Sequence, residues 1–573
     1  MSWAKVKQYL PLFCIIILAA VFRFVYIDRI PNAIGGDELI YPITAKSVVL
    51  TGQDLTGTWN IFRSLVFRYP PNQLAAELPY FIHIPLSIFF PLSVITTHLP
   101  FAILSVGTVL LFYLLTRLLF GTSTAVTVGL IAAVNPWLVV MGRTGYESTP
   151  ATFFYLLGFY LLMRLKSWNI LWSFIPFVLA FYSYIGTKVL FIPFIILTAV
   201  IAYIRNGHKY KIQYILTGLF SILFVAFFII SLVTSPRTTR ISEILLPNAA
   251  EITAQVNESR KLSIASPFGP VLINKYSVYA GALTNKIFRI ISPSYLFIEG
   301  DLFFPVRGHG MFYAADLPLF LLGSFFLFSK RRLYLLCAVA YFLIGSLPQI
   351  LFKSQSDYSL HLAMMFPLMI VCIGYGLHAT IISFPKRYKY LLAGIAAVLY
   401  LGSVINFGYI YFFQHPLQEY GDVHMRILSK YIQLNQKMDI PISVYSDSNT
   451  DFLYKYLFYT NSVNPETITA LRQTKFSDGF GLNGIHFYGC RKSLDAGNTQ
   501  EIVIVHSSCS TESNSHHLGI SRLKDGGEIY KIYNDSLCGN YNLRGFPDHI
   551  TITQLALDSL NQKQFCETYI TRR

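Results

Sequence analysis

Apolar runs long enough to cross a bilayer recur along the chain between short polar stretches. A hydrocarbon core takes about 20 consecutive apolar residues in a helix. Such runs lie near 9–27, 97–117, 122–141, 149–164, 168–184, 188–204, 212–234, 311–329, 333–351, 361–383 and 390–412. The pattern therefore predicts a polytopic α-helical membrane protein with about eleven transmembrane helices. Segment 81–96, interrupted by Pro85 and Pro91, fits either a short interfacial or re-entrant helix or one further span. From about 413 no stretch is long enough to span. There the short β-like runs IPISVYS and EIVIVHS alternate with the apolar, aromatic stretch DFLYKYLFYT, which predicts a separate soluble α/β domain over 413–573.

Composition supports this division. Of 573 residues, 54% are hydrophobic and only 13% charged, too few charges to solvate several soluble domains. The net charge of +16 raises nucleic acid as a partner, but placement of the cations answers otherwise. With the amino terminus inside, the inner connections carry Lys5, Lys7, Arg117, Arg164, Lys166, Arg205, Lys209, Lys211, Lys330, Arg331, Arg332, Lys386, Arg387 and Lys389, and no Asp or Glu. Lys and Arg concentrated in short loops on alternate sides are the positive-inside pattern. The excess charge is topological, and no nucleic acid is expected. Every carboxylate then falls outside or near the outer ends of the spans, so chemistry is expected there, in the large outer segments 28–96, 235–310 and 413–573. The organisation expected is a transmembrane catalytic domain over 1–412 and an extracytoplasmic domain over 413–573. Residues 9–27 lack a small-residue cleavage site and read as an uncleaved first span.

Cys14, Cys337 and Cys372 lie in spans, whereas Cys490, Cys509, Cys538 and Cys566 lie in the tail. Four cysteines in an oxidising compartment suggest two disulfides, in any of three pairings. Zinc is the competing reading, and the spacings lack the CxxC pair it usually shows.

Asp37 and Glu38 carry the sharpest chemical signal, in IPNAIGGDELIYPITAKSVVL just after the first span. Gly35 and Gly36 allow a tight turn, and Leu39, Ile40, Ile43, Val48 and Val49 predict an amphipathic helix lying on the membrane surface. The plainer alternative is a solvated helix start, where acidic residues are common. Arg143 and Glu147 in VVMGRTGYESTP are ionisable groups near a span end, expected to pair or to face a wet cavity. Tyr182, Tyr184 and Lys188, then Asp301, Arg307 and His309, then His361 add polar and cationic groups expected on the same outer face. Carboxylates and cations converging there suit an anionic lipid headgroup and a nucleophile that needs a base. Lys188 and Arg307 also fit as residues that merely snorkel to headgroups.

Several stretches together carry a family resemblance: GGDELIYPITAKSVVLTGQD, GRTGYESTPATFFYLLGFYLL, YSYIGTKVLFIP, SYLFIEGDLFFPVRGHGMFYAADLPLFLLG, HLAMMFPLMIVCIGYGL and FLYKYLFYTNSVNP. The chain resembles the GT-C class of membrane glycosyltransferases, especially bacterial relatives of the dolichyl-phosphate-mannose protein mannosyltransferases and the aminoarabinose transferases (glycosyltransferase families 39 and 83). The resemblance covers nearly the whole chain. It implies a GT-C fold in a bacterial inner membrane, a polyprenyl-phosphate sugar donor, and a protein or lipid/glycan acceptor among membrane lipids. It also implies Asp37 as the catalytic carboxylate with Glu38 beside it. Arg143, Glu147, Tyr184, Lys188, Asp301, Arg307 and His361 would hold donor or substrate. One departure is that relatives often read His, Ala, Leu, Arg where this chain has His361, Leu362, Ala363 and Met364. The cation lost there would be replaced by Lys353, Lys188 or Arg307.

The activity implied is inverting glycosyl transfer on the extracytoplasmic face. No cofactor is required, although a divalent cation could sit on Glu147 and His309. Two other classes are a glycan polymerase, ligase or oligosaccharyltransferase, and a lipid or glycan transporter. Sparse mid-span polar residues and the absence of evident inverted repeats disfavour transport. The topology is testable with fused reporters. Those placed after Arg205 and Arg332 should report cytoplasmic and one after Arg573 extracytoplasmic, whereas a cytoplasmic tail would overturn this orientation.

Overall fold

The computed structural model describes residues 3–57, 76–233, 249–264, 266–301, 306, 308–352, 359–418, 423–436, 440–474, 479–490, 501–509, 516–523, 525–543 and 550–572, without the side chains of 3–8, 37, 231–233 and 249. The chain divides into two compact units. One comprises Met1–Arg23, Ile103–Gly142 and Glu147–Phe407; the other comprises Phe24–Ala102, Arg143–Tyr146 and Gly408–Arg573. The tail domain expected over 413–573 is thus only part of its unit, which also takes in residues 24–102.

The first unit is helical. Each stretch expected to span is helical in the structure: Trp3–Phe24, Val94–Phe120, Thr122–Val134 with Pro136–Met141, Ser148–Arg164, Ser167–Ser183, Phe191–Asn206, Lys211–Val233, Asp316–Lys330, Arg332–Leu351, Phe366–Ser383 and Lys386–Tyr409. Among the described residues five stretches are long and apolar enough to cross a membrane: Val94–Phe120, Ile185–Ile230, Arg332–Leu351, Phe366–Ser383 and Lys386–Leu417. Ile185–Ile230 contains two helices, because Gly207 turns the backbone to φ 69° and a short 3-10 turn intervenes before Lys211. These stretches make the chain an integral membrane protein.

Small residues and buried polar side chains tie the helices together. A Cβ on Gly323 would lie 2.0 Å from the Cys372 carbonyl oxygen, and one on Gly376 would lie 2.1 Å from that of Leu319. Glycine at both positions lets Asp316–Lys330 and Phe366–Ser383 approach backbone to backbone. Arg23, fully buried at the end of the first helix, donates to Ser105 Oγ at 2.7 Å and to the Ala133 carbonyl at 2.9 Å. Its charge is thereby hydrogen-bonded inside the bundle, as an ionisable group at that depth requires.

Two sequence expectations gain detail. The ambiguous segment forms a helix over only Leu78–Phe89, shorter than a bilayer crossing needs. The stripe expected to be amphipathic lies in the helix Gly36–Thr51. Leu39 and Ile43 are buried in the same apolar core as Tyr431, Ile442, Leu453 and Ile504 of the tail. Ile40 and Val48 of the same stripe pack instead beside Tyr41 and Tyr80.

That domain is built on a seven-stranded sheet ordered β2-β3-β1-β4-β6-β5-β7, with β1 at Ile442–Tyr445, β2 at Gly479–Leu482, β3 at Ile485–Tyr488, β4 at Ile502–His506, β5 at Leu518–Ser521, β6 at Glu528–Tyr533 and β7 at Ile570–Arg572. β1 pairs in parallel with β3 and β4, and its residues 442–444 are buried, as strands covered on both faces should be. Asn483 and Gly484, both with positive φ, close the β2–β3 hairpin. The aromatic stretch predicted at DFLYKYLFYT is the helix Asn449–Tyr459, with Phe452, Leu453 and Leu457 fully buried.

The four tail cysteines form two disulfides, Cys490–Cys509 and Cys538–Cys566, separated by 19 and 28 residues. Loops of that length predict about 3 kcal/mol of stabilisation from each bridge. Peptide mapping after non-reducing alkylation should recover both pairs and no other. Free thiols at all four positions would contradict the pairing.

Candidate functional site

In the second unit the turn before Asp37 is held from several directions. Gly35 caps the helix Gly36–Thr51, and Glu38, third in that helix, accepts a hydrogen bond from the Gly35 backbone N–H at 2.7 Å. This is the returning half of a capping box, which satisfies an N–H the helix itself cannot bond. The other Glu38 oxygen accepts from the Gly145 N–H, and His98 Nε2 lies 3.7 Å from it. Glu38 is fully buried, so these partners offset a desolvation that would otherwise cost several kcal/mol. Asp37 occupies the second helical position; its side chain lies outside the described residues.

Residues 30–34 are held in the same way. Arg143, fully buried, donates Nη2 to the Ile30 carbonyl at 2.7 Å, and its guanidinium lies over the rings of Tyr411 and Phe412 at 5.6 and 5.1 Å. Arg426 donates to the Asn32 carbonyl, and its other nitrogen reaches Asp558 at 3.0 Å. The Asn32 side chain donates to the Pro416 carbonyl at 2.6 Å, and Tyr459 Oη accepts from the Ile34 N–H at 2.8 Å. His98, Arg426 and Tyr459 were missed by sequence reasoning. An imidazole in a proposed span was a usable signal for the first; nothing local marked the others.

The remaining candidates lie in the first unit. Glu147 is the N-cap residue of Ser148–Arg164 and largely buried. Lys188 is half-buried, its Nζ lying over the rings of Phe181, Tyr182 and Phe228 at 5.2, 5.6 and 5.1 Å. Three aromatic faces around an ammonium favour cation–π contact. Tyr184 stacks on His361 with ring centroids 6.2 Å apart, and Phe352 lies 4.9 Å from the same imidazole. His361 is not in the span expected over 361–383, because the helix starts at Phe366 and His361 sits in a 3-10 turn, Ser359–Leu362. Its Nδ1 lies 3.1 Å from Gln349 Oε1. Burial first, and then Lys286, push its pKa down to about 4, so the ring is neutral at physiological pH. Asp301 accepts from the Ser359 N–H and from Tyr295 Oη at 3.3 Å, tethering the chain two residues before His361. The structure thus brings Tyr184, Asp301 and His361 into one cluster.

Lys286, unnoticed in the sequence, joins that cluster by donating Nζ to the Phe352 carbonyl. Arg307 and Lys353 lie outside the described residues. His309 packs on Tyr313 and Phe407, with Nδ1 2.9 Å from the Gly310 carbonyl oxygen. Among the described residues, the one group that gathers three metal-ligating atoms is Asp447, Cys490 and Cys509. The two sulfurs are bonded to each other, and neither Glu147 nor His309 belongs to it.

No protein-family model matches the chain, and no curated protein matches it in sequence. Among solved structures it is similar to ArnT from Cupriavidus metallidurans in the apo state, at 12% identity and a TM-score of 0.47 over 93% of this chain and 98% of that one. It is also similar to the archaeal oligosaccharyltransferase AglB from Archaeoglobus fulgidus in complex with an inhibitory peptide and a dolichol-phosphate, at 12% identity and a TM-score of 0.45 over 81% of this chain and 65% of that one. Likeness at this level fixes no activity.

If Glu38 holds the turn, Glu38→Ala should destabilise the protein by about 2–4 kcal/mol, since it leaves two buried N–H groups without an acceptor. Thermal unfolding in detergent measures this. A change below about 0.5 kcal/mol would show that the turn stands without the carboxylate.

Proposed function

We propose that this protein is an inverting glycosyltransferase, moving a sugar from a polyprenyl-phosphate donor to a protein or lipid/glycan acceptor on the extracytoplasmic face of a bacterial plasma membrane. The chain would cross that membrane eleven times, amino terminus inside. One observation carries the reading: Glu38, buried and bonded to Gly35 and Gly145, fixes the helix start that bears Asp37. An adjacent pair of carboxylates, one engaged in structure and the other at the first turn beside it, is the arrangement a general base and its support require.

In the proposed reaction an acceptor hydroxyl oxygen attacks the anomeric carbon opposite the phosphate. The carbon–oxygen bond to phosphate breaks, its electron pair leaves with the polyprenyl phosphate, and the hydroxyl proton passes to Asp37. General-base assistance is worth about 100- to 10,000-fold. Lys188 and Arg307 would hold the phosphate and stabilise the charge that develops on it. Lys286, near the neutral His361, would be a further replacement for the cation missing after His361. Arg143 would act through the Ile30 carbonyl rather than on the donor, because its guanidinium is fully buried there. The same turn would be needed whether the acceptor were a protein or a glycan.

Asp37→Asn is nearly isosteric but cannot take the proton. With purified polyprenyl-phosphate sugar it should lower kcat about 100-fold or more while leaving donor binding unchanged. Lys188→Ala should instead raise KM. Near wild-type turnover by Asp37→Asn would remove Asp37 from the reaction.

A further inference from the structure

We propose that the first unit contains a pocket for the doubly phosphorylated headgroup of an anionic phospholipid, at the helix ends that carry the inner-loop cations. A cavity of about 620 Å³ is lined there by Arg117, Arg164, Lys166 and Arg205, together with Tyr160 and Met163. Three helices end at it: Val94–Phe120, Ser148–Arg164 and Phe191–Asn206 each carry one of the arginines in the last turn. Cations at helix C-termini complement the helix dipole, and Lys and Arg at inner loop ends set topology. Neither role needs a cavity. Capping already occurs here through Arg205, whose Nη1 donates to the Met163 carbonyl at 3.2 Å.

Four cations share this concave space, and none of the residues lining it is acidic. Their mutual repulsion falls when an anion enters, and two phosphates match four positive charges better than one does. The surroundings add a second requirement. Tyr9 also lines the cavity and belongs to a helix whose Leu10, Phe13 and Ile17 are 53%, 62% and 47% exposed, an apolar surface suited to acyl chains. A basic pocket between membrane helices, beside an apolar face, recognises a lipid with a polyanionic head more fully than it does a soluble anion.

Native mass spectrometry of the full chain in detergent tests this with diphosphatidylglycerol as the probe and phosphatidylcholine as the neutral control. One diphosphatidylglycerol should bind per chain, in preference to phosphatidylcholine. The double variant Arg164→Gln and Lys166→Gln should weaken binding about 30-fold, as expected for two cations beside an anionic headgroup. Arg164→Lys keeps the charge and should stay within about threefold of the parent, which separates loss of charge from loss of fold. Equal binding of phosphatidylcholine, unchanged affinity in the double variant, a loss with Arg164→Lys as large as in the double variant, or displacement by millimolar inorganic phosphate would each overturn the proposal.

Discussion

A carboxylate with no exposure to water has to be answered by donors, and in this protein that requirement organises the region around Asp37. Glu38 takes one N–H from its own helix start and another from Gly145, 107 residues further along the chain. The first bond makes the helix begin at Gly36. The second ties that beginning to the short segment 143–146, which also supplies Arg143 to the Ile30 carbonyl. The two bonds share one buried carboxylate, so the turn and the segment hold each other. Tyr146 adds a steric limit, since a Cβ on Gly35 would lie 3.0 Å from its hydroxyl and 3.1 Å from Glu38 Oε2.

The same unit explains why the tail is more than an appendage. Its sheet core is continuous with Ala33, Ile34, Leu39, Ile43 and Leu55 from the segment after the first helix. Arg426 and Tyr459, both from the tail, bond backbone groups of residues 32 and 34. The α/β domain thus braces the loop proposed to carry the base. Positional precision of this kind is what a proton-transfer geometry needs, since misplacement by about 1 Å can cost on the order of 100-fold in rate.

Much of this was legible in the sequence, and the losses have physical causes. Helix positions follow from apolar run length, a local property. The tail strands at Ile442–Tyr445 and Ile502–His506 follow from β-branched runs, and four cysteines suggest two disulfides while leaving their pairing open. Periodicity in residues 39–49 identified an apolar stripe but not that Leu39 and Ile43 join the core of the tail, because lipid and a protein core select the same residues. Arg143 was noticed as a charge near a span end, whereas its partner is a backbone carbonyl 113 residues away, which carries no sequence signature. Lys286 escaped for the converse reason. An isolated lysine between two apolar runs has no pattern, and only folding places it at the Phe352 carbonyl beside His361.

The proposed reaction is a single displacement assisted by one carboxylate, and the stereochemistry of the product tests that most directly. A polyprenyl-phosphate sugar of defined anomeric configuration, incubated with the purified full-length protein and an acceptor, gives a product whose anomeric configuration NMR can assign. Direct attack by the acceptor predicts complete inversion. Retention would require a covalent glycosyl-enzyme intermediate on a second carboxylate, which contradicts a supporting role for Glu38 and a base role for Asp37.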